Sequence, residues 1–139
     1  MPDNVKIIGL EKVVRNLTQF EADLNTKFGK DARDKSLNEL RERGEKYPPK
    51  PPGSKYQRTG RYGQSWAEEP QGFLSGRVWN KVRSAKGRFY APYVGGMDSQ
   101  ASVHQGRWPT TAQIADEKRP KIVGFYQYAV DQATKRANS

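Results

Sequence analysis

The chain has no cysteine and a single histidine among its 139 residues. Without thiols there is no disulfide framework and no thiolate metal site, and one imidazole leaves zinc short of its usual ligands. Long apolar runs are missing as well. No stretch approaches the roughly 20 residues that span a bilayer, and the opening MPDNVKIIGL lacks the basic-then-apolar order of a secretory signal. These absences lead to the expectation of a soluble protein made inside a cell, with no membrane association. Phosphate-cradling glycine patterns are also lacking. The glycines of GSKYQRTGRYG have neither the dinucleotide spacing nor a following GK[ST]. Apolar residues are scarce in general, 34% against 29% charged. The length suits one domain over residues 1–139, with a lean core and with loops that order against partners.

Acidic residues are thin where basic ones gather. The chain carries 25 Lys and Arg against 15 Asp and Glu, a net +10. Residues 46–88 hold ten of the basic residues (Lys46, Lys50, Lys55, Arg58, Arg61, Arg77, Lys81, Arg83, Lys86 and Arg88) and only Glu68 and Glu69 as acids, so +8 lies in this belt. Both ends of the chain are close to neutral. A central basic belt calls for a negative partner, either nucleic acid or an acidic protein face. The plainer alternative is a solvated basic surface.

The apolar pattern changes period along the chain. Val5 to Ile8 form a short β-prone run closed by Gly9. From there Leu10, Val13, Val14, Leu17, Phe20, Leu24 and Phe28 recur at three- and four-residue steps, and Ala32, Ser36, Leu37 and Leu40 continue the stripe to Gly44. This predicts a long amphipathic helix. Unbroken it would run about 50 Å at 1.5 Å per residue, so a bend is expected at Gly29. Residues 47–63 then read YPPKPPGSKYQRTGRYG. Four prolines within five positions exclude helix and central strand and predict an extended basic loop, with Thr59 capping a short helical turn to about residue 65. Two strands are expected at residues 66–69 and 73–82 around a turn at 70–72. Residues 89–94, FYAPYV, read as a short extended or edge segment, and 95–109 as a second loop. Thr110 or Thr111 caps a final helix, with a kink or a junction of two helices at Pro120. Ile122, Val123, Tyr126, Ala129, Val130 and Ala133 form its stripe.

The inventory for catalysis is small. His104, in SVHQGRW, has no partners at triad-like spacing, and a surface or hydrogen-bonding role fits it better than general-base work. Glu68 and Glu69 are neighbours on a strand and point to opposite faces, a poor carboxylate pair. Asp31 and Asp34 share a helix face and fit a solvated surface better than a metal site. We therefore expect no catalytic residues, no metal and no cofactor. The tyrosines at 47, 56 and 62 among Lys and Arg suit base stacking with phosphate pairing, and equally a protein interface. Trp66 and Trp79 are expected in the core. Trp108 fits core or interface equally.

Several motifs in order resemble the tail-completion, or head–tail joining, family of long-tailed bacteriophages. These are Ile7-Ile8-Gly9-Leu10, then Arg58-Thr59-Gly60-Arg61 with Ser65-Trp66, then Tyr90-Ala91-Pro92-Tyr93-Val94-Gly95-Gly96, then His104 to Trp108 ahead of a closing helix. The proline-rich lead-in to Tyr56 is similar to a recurring phage and prophage form of this region. Where the family often carries an acid after Y-A-x-Y-V, this chain has Gly95.

The resemblance implies an α+β domain: an antiparallel sheet of about three to five strands packed by a long, bent N-terminal helix and a C-terminal helix. It implies a non-enzymatic virion protein, assembled with the phage in the host cytoplasm. Copies would form a homo-oligomeric ring of the neck or tail end against the connector and the tail terminator or tube, with passive contact to DNA. Contact residues expected on this view are Lys50, Lys55, Tyr56, Arg58, Arg61, Tyr62, Arg83, Lys86 and Arg88. The first rival is a small basic nucleic-acid-binding module. The second, a small nuclease, would have to work through His104.

Overall fold

The computed structural model describes residues 8–48, 60–84, 86–96, 100–101, 104 and 107–139. The strand or arm expected at 5–8 and the interior of the proline-rich loop therefore fall almost wholly outside the described residues.

The N-terminal stripe forms α1 (Leu10–Asp23) and α2 (Gly29–Glu45), joined by a π-helical stretch, Leu24–Phe28. A bend was expected at Gly29; that residue is itself helical, φ −70° and ψ −38°, and the change of winding is the π turn just before it. The glycine serves close packing instead. A Cβ at Gly29 would strike the Leu24 carbonyl and a methyl of Leu74. The extra residue of the wide π turn thus sits beside the spot where a distant loop touches the helix.

A short helix, α3 (Arg61–Gln64), follows, preceded by Gly60 at φ 79°. Thr59, its expected cap, lies outside the described residues. Strands β1 (Trp66–Pro70) and β2 (Gly76–Asn80) pair antiparallel, with Trp66 opposite Asn80 and Glu68 opposite Val78. Among the described residues the sheet has these two strands and one further isolated bridge, Arg83 to Phe89. Three to five strands were expected. The second strand begins at Gly76 rather than at 73 because Phe73 and Leu74 belong to the turn. That turn is held over the helices: Arg33 Nη1 donates to the Gly72 carbonyl (2.8 Å) and the Tyr126 hydroxyl to the Leu74 carbonyl (2.6 Å).

The FYAPYV segment is not extended. It contains α4 (Ala91–Gly95), with Pro92 in its first turn, where the missing amide costs nothing. The closing helix α5 (Thr111–Ala137) is a single element that passes through Pro120, so of the two alternatives expected there, a kink or a junction of two helices, the junction is absent. Its start is a capping box. The Gln113 amide donates to the Thr110 hydroxyl (3.2 Å), and the Thr110 amide donates to the Gln113 side chain (2.8 Å).

Two kinds of packing hold these elements. Helices α2 and α5 meet through small buried residues, with Ala32 and Ser36 on one and Ala129 and Ala133 on the other. Charged pairs flank them: Glu39 with Lys118 (3.2 Å) and Lys121 (2.6 Å), and Arg43 with Glu117. At the far end the buried Asp23 carboxylate faces Arg136 (3.2 Å). The other kind is an aromatic core. Tyr62, Trp66, Val82, Val94, Trp108 and Ile114 are buried together, with Leu40, Tyr47, Val78, Tyr90 and Ala91 packed against them. Trp66 lies on α2 where Gly44 leaves room; a Cβ there would sit within the indole, 2.6 Å from Cζ2.

Candidate interface: two basic segments rooted in an aromatic core

The sheet register sorts the side chains of the basic belt. On β1, Trp66 and Glu68 face α2, where Glu68 meets Arg41 (3.3 Å). Ala67 and Glu69 lie on the outer face, and Glu69 meets Arg77 (3.1 Å), its partner across the ribbon. The two carboxylates thus diverge, as strand alternation requires, and each is matched by an arginine. The same alternation puts Trp79 on the outer face. It was expected in the core, but it is only partly buried and lies under the Arg77 guanidinium, 4.3 Å from the ring centroid. Trp108 takes the core position instead.

The aromatic rings meet edge to face. Tyr62 contacts Trp66 (centroids 5.7 Å apart) and Trp108 (5.2 Å), and Tyr47 contacts Trp108 (5.1 Å). Such pairs add about 0.5–1.5 kcal/mol each beyond burial. Tyr47 and Tyr62 stand at the two ends of the proline-rich basic loop. The Gly63 amide donates to the Tyr47 hydroxyl (2.9 Å), which closes the ends on each other. Tyr62 is therefore an anchor and not a surface contact, in contrast to its expected role. Burial pushes its hydroxyl up to about 12, and the neighbouring Tyr47 adds to the rise.

A second basic segment grows from the same core. The Asn80 side-chain amide donates to the Tyr62 carbonyl (2.7 Å), and the Lys81 amide to the Ser65 carbonyl (3.0 Å). Val82 is almost completely buried. Beyond it the chain turns back on itself. The Ser84 amide donates to the Arg88 carbonyl (2.7 Å), the Gly87 amide to the Ser84 carbonyl (2.8 Å), and the Arg88 amide to the Ser84 hydroxyl (3.1 Å). Gly87, at φ 81°, supplies the left-handed residue this turn needs. Arg83, Lys86 and Arg88 are all exposed on it. Arg83 donates to the Gly87 carbonyl (3.1 Å) and reaches over Phe89.

Of the nine expected contact residues, the fold brings Arg83, Lys86 and Arg88 together on one turn. Arg61 is exposed at the start of α3, and α3 is hydrogen-bonded to the root of that turn. Lys50, Lys55, Tyr56 and Arg58 lie outside the described residues. Sequence reasoning missed the anchoring role of Tyr47, Tyr62 and Tyr90. The available signal was the low apolar content, which obliges aromatics to build the core.

His104 packs edge-on to Trp108 (6.3 Å). Burial lowers its pKa, and the Arg107 charge adds to the effect. Its Nδ1 is buried with no hydrogen-bond partner among the described residues. Asp31 pairs with Lys35 (3.0 Å) and Asp34 with Arg33 (2.9 Å), all on the helix surface or its edge. Among the described residues no three His, Asp or Glu side chains group as a metal site, and no helix is long and apolar enough to cross a membrane. Set against protein-family models, curated proteins and solved structures, the chain matches none of them.

Proposed function

We propose that this chain is a non-enzymatic structural protein of a tailed phage virion. In this reading it completes the neck or tail end as a homo-oligomeric ring that joins the connector to the tail terminator or tube around the DNA channel. It assembles in the host cytoplasm and uses no cofactor. The observation that carries the reading is the common root of the two basic segments. The proline-rich loop and the turn at 83–89 both leave one aromatic core, and the rigid helices stand behind it. That suits a scaffold presenting positive arms to a partner. The ordered motifs described above supply the phage context. A sheet of three to five strands, of which β1 and β2 are the described pair, and the extended loop as a contact arm belong to the same reading.

Charge reversal tests it. Arg58→Glu with Arg61→Glu should leave the far-ultraviolet circular dichroism and melting temperature close to native, since Arg61 is exposed. Heads and tails should then accumulate unjoined. Infectious particles at native yield would contradict the reading.

The exposed cluster of Arg83, Lys86 and Arg88 also favours a second reading, a nucleic-acid-binding module. That reading requires binding of bare duplex DNA whose affinity falls with salt, by a slope near 0.9 per phosphate neutralised. Neutralising Arg83, Lys86 and Arg88 together would then lower the slope by roughly three.

A further inference from the structure

The most regular apolar stripe in the sequence is not in the core. Leu10, Val13, Val14 and Leu17 on α1 are 52–62% exposed, and Ile8 just before them is 90% exposed. α1 does pack on α5, but through another side. The Asn16 side-chain amide group lies against the Ala137 carbonyl, and Asp23 faces Arg136. At about 100° per residue these positions lie roughly a third of a turn from the centre of the stripe. A second apolar surface stands elsewhere. On α5, Tyr128 is exposed. It borders an open cleft of about 210 Å³ that is also lined by Phe28, Asp31, Ala32, Lys35 and Phe125.

We infer that the α1 stripe of one copy docks on Tyr128 and the cleft beside it in a second copy. Three observations select a second copy as occupant. The first is charge. Each copy carries +10, so copies repel except where a face is balanced. Residues 1–45 hold nine basic and nine acidic side chains, and Glu11, Lys12, Arg15 and Glu21 flank the stripe with both signs. The cleft rim is balanced too, by the Asp31–Lys35 pair. An acidic partner or nucleic acid would be drawn to the belt instead. The second is area. Ile8 and the four α1 side chains offer on the order of 400 Å² of apolar surface, close to the apolar share of a standard half-interface of about 800 Å². The third is fit. An i, i+3/i+4, i+7 row is the shape that lies in a hydrophobic groove. A cavity of about 150 Å³ takes a benzene ring, so this cleft takes one or two aliphatic side chains. The two patches differ, so the contact runs head to tail, which is the geometry that closes rings. The inference rests on the ring-forming reading above only for that last step.

The absence of cysteine makes the test clean. The purified full chain is followed by sedimentation over a wide concentration range. The native protein should self-associate, and Leu17→Glu should weaken that association at least about tenfold with unchanged circular dichroism. Val14→Ser, a milder change on the same face, guards against misfolding of the first variant and should weaken association in the same direction. For the geometry, Leu17→Cys protein is mixed with Tyr128→Cys protein under mild oxidation. A disulfide should form between the two variants and neither should dimerise alone. Monomers at every concentration, native-like association of both α1 variants, or a Leu17→Cys dimer formed alone would each overturn the inference. Native-like association of both α1 variants alongside failed head–tail joining in the Arg58→Glu, Arg61→Glu variant would sink this contact and leave the neck reading standing. Association through α1 by a chain whose removal leaves particles sound would support the contact and sink the neck reading.

Discussion

The two ends of the molecule are held together in different ways. Around Tyr62 the packing uses large rings in fixed edge-to-face contact, and Gly44 makes room for one of them. Between α2 and α5 it uses alanine and serine with ion pairs along the seam. Large apolar side chains at that end are left outside. The difference teaches where specificity is kept. The aromatic end fixes the directions in which two basic segments leave the fold. The helical end brings backbones close and reserves its large side chains for an outer surface.

This contrast can be broken by substitution. Trp108→Ala should cost about 3–5 kcal/mol in urea unfolding, the usual range for removing a buried aromatic. Trp79→Ala, on the outer face of the ribbon, should cost about 1 kcal/mol, mostly its stacking with Arg77. Equal losses would mean that the core is not where the fold places it. Glycine gives a sharper version. Gly44→Ala drives a methyl into the Trp66 indole and should destabilise by about 1–3 kcal/mol. In α5, nothing lies within 4 Å of a Cβ at Gly124. Gly124→Ala should therefore stabilise, by up to about 1 kcal/mol.

Titration separates the ends further. Tyr62 has a folded pKa of about 12 against an ordinary value of 10.0. Its folded pKa is raised, so its contribution is intact below pH 10 and is lost as pH rises from there toward 12. The loss should be on the order of 2 kcal/mol and should vanish in Tyr62→Phe. Ultraviolet absorbance should show late-ionising tyrosine that is reduced but not abolished in Tyr62→Phe, because burial raises Tyr126 as well. Glu39 works in the opposite direction. Hydrogen bonds from Lys121 and Lys118 hold its carboxyl below the usual 4.5. Its contribution is present above that value and is lost as pH falls through the lowered pKa. Melts of Glu39→Gln should accordingly be flatter on the acid side than native melts, the smallest effect in the series.

Much of the fold could be read from residues. The stripe from Leu10 to Leu40 marked the helix, and the threonines at 110 and 111 marked the start of α5. The first strand, expected at 66–69, runs Trp66–Pro70, and the second, expected at 73–82, is confined to Gly76–Asn80. The errors share a physical cause, which is that local rules were overruled by neighbours distant in sequence. Gly29 reads as the bend, whereas the change of winding is the π turn just before it and the glycine makes room for Leu74. Phe73 and Leu74 read as strand until Arg33 and Tyr126 are seen holding their turn. Pro92 reads as extended, although a first helical turn accepts it. The site was half legible. Arg83, Lys86 and Arg88 do meet on one turn, whereas Tyr62, picked for its basic company, turned inward because a lean sequence must spend its aromatics on the core.

The most direct test of the central proposal is electron microscopy of lysates in which this protein has been removed from its phage. The account predicts filled heads and complete tails lying separate, with joining restored when the native chain is added back. Intact, joined particles in its absence would contradict it.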